Sequence, residues 1–210
     1  MIYFRLLRLM TRWPTLVREY SMLREGGGDV VFNHLSVSKK AYAVLDELKY
    51  INDDWEHVID DQDLLRSAPS YRPNDPLPLM FEVKDTMAAL AICHYAMFSI
   101  IVCRILLSLQ IMSCETGETV QLQAGIVNQC HRIWMLIDHS LCHKPLGLPV
   151  MQGALILTFE TAVDDDLNMK RYILDALNEL DAYRVLAKGP WKENQVVYIA
   201  RSLRGECPFG

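Results

Sequence analysis

The chain has 210 residues, 51% of them hydrophobic and 22% charged, with a formal net charge of −5. That balance excludes disorder and supplies enough apolar side chains to bury the core of one domain of ordinary size. It also argues against nucleic acid as a direct partner, since counterion release drives that affinity from a basic surface.

Strand signals are weak, and long segments repeat apolar residues at three and four. The spacing predicts an all-α protein: a single globular bundle of about seven or eight helices around a long buried central helix. The first helix covers Ile2 to Arg12 and is broken by Trp13-Pro14, because proline cannot donate to the preceding turn. A second piece runs from Pro14 to Glu25 and stops at three glycines. Arg5, Arg8, Arg12, Arg18 and Arg24 recur at helical intervals with Leu and Met between them. They read as a solvated helix face, the sharper alternative being a weak nucleic-acid or membrane contact.

A third helix starts near Ser36 or Ser38, either of which can cap free backbone N–H groups. Ala41, Val44, Leu45, Leu48, Ile51, Trp55 and Ile59 form its apolar stripe, opposite Lys39, Asp46, Lys49, Asp53 and Glu56. Asp53, Asp54, Asp60, Asp61 and Asp63 invite a calcium reading, but they lack the glycine and terminal glutamate of a calcium loop. The segment 67–78, with Pro69, Pro73, Pro76 and Pro78, is the clearest loop. Dividing the chain there would leave each half too few helices to close a core, so the expectation is one domain over 1–210.

A very long helix is expected over Leu79 to Met112. Its middle, MAALAICHYAMFSIIVC, carries no formal charge and is at the lower limit of a membrane span, about 17 residues. It contains His94, is followed at once by Arg104, and lacks a topogenic arrangement of flanking cations. A helix buried on all sides inside a protein reads the same way, and no membrane span is expected. A fifth helix covers Thr119 to His143, a sixth Val150 to Val163, a seventh Leu167 to Ala187 and the last Trp191 to Leu203. The six cysteines, from Cys93 to Cys207, form no C-x-x-C pair and follow no secretory signal. They read as small hydrophobes in a reducing compartment.

Signatures for phosphate loops, hydrolase elbows and His-Glu-x-x-His zinc sites are absent, so neither cofactor nor metal is expected. His139 and His143 are four apart, as zinc ligands on a helix are, yet no third ligand is set by spacing. His131 and Asp138 share a face but stand about 10 Å apart along the axis, suited to a shared ligand rather than a shared hydrogen bond. His94 and Tyr95 interrupt the most apolar helix, and buried imidazole and phenol groups need hydrogen-bond partners. Those partners are either other core side chains or a ligand in an apolar pocket. The pocket would be walled by Tyr95, Met97, Phe98, Ile101 and, from the fifth helix, Trp134.

The order of these elements resembles the C-terminal half of the helical regulatory region of fungal zinc-cluster (Zn₂Cys₆) transcription factors. The matching stretches are Trp13-Pro14-Thr15-Leu16, DTMAALAICHYAMFSIIVCRILLSL, QCHRIWMLIDHSL, PLGLPVMQGALILTFETAVD and the tail RGECPFG. The resemblance spans most of the chain and implies a fold and a setting in natural-product gene clusters, but no functional residue. The family's basic segment with six closely spaced cysteines has no counterpart here. Either the sequence is a truncated regulator, or a regulator-like domain has become an independent protein.

Two functions follow. An independent protein of secondary metabolism would bind a hydrophobic intermediate and promote a cofactor-free, Diels–Alder-like cyclisation in the cytoplasm. Shape and one or two hydrogen bonds would supply the rate. His94, Tyr95 and His131 would be its catalytic candidates, and Met97, Phe98, Ile101 and Trp134 its ligand-binding ones. A regulator fragment would instead bind an effector or partner in the nucleus. The sequence leans towards the enzyme. The first role requires an enclosed apolar cavity holding a named polar residue; the second requires a filled core and an exposed apolar patch.

Overall fold

The computed structural model describes residues 2–26, 30–70, 76–114, 117–142, 148–162, 167–182 and 189–206. Among them the chain forms nine α-helices and one two-stranded hairpin. The helices are α1 (Ile2–Met10), α2 (Trp13–Arg24), α3 (Val30–Asp61), α4 (Thr86–Ser113), α5 (Thr119–Trp134), α6 (Ile137–Cys142), α7 (Leu148–Thr158), α8 (Leu167–Asp181) and α9 (Glu193–Leu203). A 3-10 turn, Phe159–Thr161, follows α7. The all-α bundle with a long buried central helix is what the sequence predicts.

α4 is the axis. It packs against α1, α3, α5 and α7, and its buried residues run from Ala88 to Gln110 on every face. It is long and apolar enough to cross a membrane, yet 78% of its most apolar window is buried inside the protein. Burial against other helices makes it a core helix rather than a lipid-facing span. The α3 stripe covers one side of the core, with Ala41, Val44, Leu45, Leu48, Ile51 and Ile59 all buried.

Four expectations give way to contacts made with other elements. Leu79 does not open the long helix. Leu79–Val83 is strand β2, paired antiparallel with β1 (Leu65–Pro69), with Ala68 opposite Met80 and Ser67 opposite Phe81. The expected loop over 67–78 therefore begins inside a strand. α4 starts only after Asp85, whose extended backbone and carboxylate, accepting from the Met87 N–H at 3.0 Å, cap it. The expected fifth helix is cut in two at Met135-Leu136. The Phe81 N–H of β2 donates to the Met135 carbonyl at 2.8 Å, while Leu136 N–H bonds back only three residues, to Ile133. Hence the count is nine rather than eight.

Thirdly, α3 begins at Val30, ahead of the serines expected to cap it. The His34 imidazole, Nε2 3.0 Å from the Leu109 carbonyl, ties that added stretch to the far end of α4. The last helix starts two residues late because Trp191 is held by α8. Its backbone N–H donates to Asn178 at 2.7 Å and its indole N–H to Asp181 at 2.5 Å.

If α4 is the axis, truncating it differs sharply from truncating its exposed end. Phe98→Ala is expected to cost about 3–5 kcal/mol in urea unfolding. Ile111→Ala, at a position 75% exposed, is expected to stay within about 0.5 kcal/mol. Similar costs for the two would contradict this packing.

Candidate functional site

Consecutive residues on a helix leave it about 100° apart and do not face each other. His94 points to α1, where its Nδ1 stands 3.0 Å from the Tyr3 hydroxyl. Burial lowers its pKa against the opposing effect of a bond with the Leu90 backbone. Tyr95 lies toward α3 and α5. Burial pushes its phenol up to about 12, while Arg132, Glu56 and a hydrogen bond with Ser99 also act on it. Arg132 in turn donates to Glu56 at 2.7 Å, joining α5 to α3.

The remaining candidates are spread around the same axis. The Met97 methyl lies against α7, 3.1 Å from where a side chain on Gly153 would begin. Phe98 and Ile101 are fully buried. Trp134 is buried and its indole donates to Thr158 at 2.8 Å, whose hydroxyl donates to the Leu155 carbonyl at 2.9 Å. His131 is exposed and meets Trp134 edge-on, ring centres 5.0 Å apart. Of the seven residues, the structure brings His131 and Trp134 into ring contact, and it sends His94 and Tyr95 to different neighbours. The hydroxyl that meets His94 belongs to Tyr3, which nothing in the sequence spacing singles out.

The other clusters weighed in the sequence are also dispersed. His131 is exposed on α5 whereas Asp138 is buried on α6. His143 lies outside the described residues, and His139 is buried on α6. Asp54 bonds Arg5 at 2.6 Å and Asp63 pairs with Lys84 at the base of the hairpin. The side chains of Asp60 and Asp61 lie outside the described set. No group of three or more potential metal ligands occurs among the described residues. Cys93, Cys103, Cys114, Cys130 and Cys142 are free thiols; Cys207 lies outside the described residues. Burial pushes Cys93 up to about 12 and Cys103 and Cys130 up to about 11, which keeps these three as thiols.

The densest polar cluster is one the sequence reading passed over. Arg204, 2% exposed, donates to Glu206 through Nε at 2.7 Å and Nη2 at 2.8 Å, and to Glu160 through Nη2 at 2.5 Å. Arg201 also reaches Glu160, at 3.0 Å. Arg24 donates to the Glu206 carbonyl at 2.6 Å, and Trp13 to the Leu203 carbonyl at 3.2 Å. Arg104, from α4, donates to Thr161 at 2.7 Å. Burial raises the Glu160 pKa, but the bonds from Arg204 and Arg201 outweigh it and hold the carboxyl below its usual range. The knot fastens the C-terminal turn to α2, α4 and the 3-10 turn. Its signal was visible as Arg104 breaking an apolar run and as the Arg204-Gly205-Glu206 tail.

Surface features among the described residues also bear on the site. A crevice of about 20 Å³ between α4, α6 and α7, lined in part by Cys93, His139 and Met151, has room for little more than a water. His94 and Tyr95 line neither this crevice nor the larger α1–α3 cleft of about 490 Å³. On α5, Val120, Ala124, Val127 and His131 recur at helical spacing along an exposed face. Val120 is 76% exposed and Val127 44%. The Thr119 hydroxyl donates to Gln110 at 3.1 Å, setting the start of this row beside the exposed Ile111 and Met112 at the end of α4.

Compared with protein families, curated proteins and solved structures, the chain has no significant match.

His94 gives a pH test. Its folded pKa is lowered, so as pH falls below about 6.5 the unfolded chain takes up the proton first. Stability present above that pH is therefore lost as pH falls towards the folded value. His94→Gln is expected to flatten the fall in Tm from about pH 7 to pH 5; an unchanged slope would contradict its burial against Tyr3. For the knot, Glu160→Gln leaves Arg204 a single carboxylate and is expected to cost about 2–4 kcal/mol by chemical denaturation. A loss under about 0.5 kcal/mol, the level of an ordinary surface change, would show that the knot holds nothing.

Proposed function

We propose that this chain is a non-catalytic regulatory module, of the zinc-cluster regulator type its sequence resembles, that acts by docking another protein. One observation carries the reading. The chemistry-bearing side chains of α4 are spread among separate neighbours in a packed core, while α5 presents Val120, Ala124 and Val127 to solvent in a row. An exposed apolar row on one helix face is the pattern that receives an amphipathic partner helix. Any action on DNA would come through another chain.

The cyclisation reading is less well supported. It requires His94 or Tyr95 to reach a substrate lying against Phe98 and Trp134. The imidazole is turned to Tyr3, the phenol to Ser99, and the Trp134 indole to Thr158.

The test is a reporter assay in a fungal host, with the chain fused to a foreign DNA-binding module. The fusion is expected to change reporter output, and Val120→Glu with Val127→Glu to abolish the change. Both positions are exposed, so the pair is expected to alter folding stability by less than about 1 kcal/mol. Output that is absent from the parent fusion, or unaffected by the pair, would contradict the proposal. Conversion of an apolar pathway intermediate by the purified chain would favour cyclisation instead.

A further inference from the structure

Arg5 and Arg8 of α1, with Arg12 from the turn before α2, meet acidic residues of α3 across a cleft of about 490 Å³. Its lining comprises Arg5, Arg8 and Arg12 with Leu9 on one side, and Asp46, Glu47, Tyr50 and Ile51 on the other. Leu9 and Ile51 are buried and form an apolar floor. The Arg5 guanidinium lies over the Tyr50 ring, 5.0 Å from its centre. The volume is in the range of small-molecule sites, roughly 300–1,000 Å³.

Charge pairing decides what such a cleft can hold. Arg5 is engaged by Asp54 at 2.6 Å, Arg12 by Glu47, and Asp46 faces Lys49 at 3.6 Å. Arg8, between Arg5 and Arg12, has no carboxylate partner among the described residues. A polyanion needs several free cations, each releasing counterions. Of the three arginines that line the cleft, Arg8 alone is left over among the described residues, which suits a single anionic group rather than a polyanion. One free guanidinium at the rim of an apolar floor instead matches a molecule with one anionic head and an apolar body.

We propose that the α1–α3 cleft binds an apolar monocarboxylate, with the carboxylate on Arg8 and the hydrocarbon over Leu9, Ile51 and the edge of Tyr50. The site is separate from the α5 row and stands whether or not α5 docks a partner. It is built from three arginines of the row that reads as a solvated helix face in the sequence, and the pairing by α3 shows which of the three is left over.

Calorimetric titration of the whole chain with decanoate, below its micelle concentration, tests this. Saturable one-to-one binding is expected. Decanol, which keeps the chain and loses the charge, and acetate, which keeps the charge and loses the chain, are each expected to bind at least tenfold more weakly. Arg8→Gln is expected to weaken decanoate at least tenfold. Arg171→Gln, at an exposed position on α8, is expected to leave it unchanged. Vesicles of phosphatidylglycerol separate a dissolved acid from a lipid surface and are expected not to bind. Non-saturable uptake, equal binding of decanol, an unaffected Arg8→Gln variant, or vesicle binding without decanoate binding would each overturn the proposal.

Discussion

Everything in this fold answers to the burial of α4. A helix that is apolar on every face cannot sit on a surface; it must be wrapped. α1 and α3 cover one side and α5 and α7 another. The consequence reaches the chemistry. A helix surrounded in this way gives each of its few polar side chains a partner of its own, on a neighbouring element or one turn along α4 itself. Buried polar groups need partners, and α4 finds them separately: Tyr3 for His94, Ser99 for Tyr95, Thr161 for Arg104, Tyr20 for Ser108. A core organised so spreads its polar groups over separate partners and has little reason to converge on one substrate.

The second constraint is the ionic knot around Arg204. Taking a guanidinium almost wholly out of water costs several kcal/mol unless carboxylates accompany it. Glu206, two residues on, and Glu160, from the 3-10 turn, supply them. The close approach that follows needs Gly205. Its φ is +74°, and a Cβ there would stand 2.8 Å from the Val17 carbonyl of α2. An Arg-Gly-Glu tail thus does in ionic terms what a hydrophobic contact does elsewhere, and it joins the end of the described chain to its beginning.

Much of the architecture was legible because burial leaves a periodic trace. The α3 stripe, the buried α4, the break at Trp13-Pro14 and the polar loop before α4 all follow from spacing and proline chemistry. What was not legible depends on partners far away in sequence. Nothing around Met135 marks a helix break; Phe81 makes it. Leu79 to Val83 carry apolar residues compatible with helix or strand, and only pairing with β1 decides. The candidate site fared differently. His94 and Tyr95 stood out in the sequence as polar groups in an apolar helix, and Trp134 as a pocket wall; in the structure they meet Tyr3, Ser99 and Thr158 respectively. The sequence left their partners open between core side chains and a ligand, because neither Tyr3 nor the direction in which each side chain leaves α4 is marked by spacing. The Arg204 knot went unread because its members lie on different elements and two of them belong to the tail.

On the proposed reading as a docking module, the same features need no catalytic role: a wrapped helix, a fastened terminus and an apolar outer face on α5. The central claim is that the core around His94 and Tyr95 is filled. Xenon-pressurised crystals test it most directly, because xenon enters apolar cavities that water leaves dry. The account predicts no xenon site in contact with either His94 or Tyr95. An ordered xenon atom packed against one of them and against Phe98 or Trp134 would contradict it, and would return the cyclisation reading to first place.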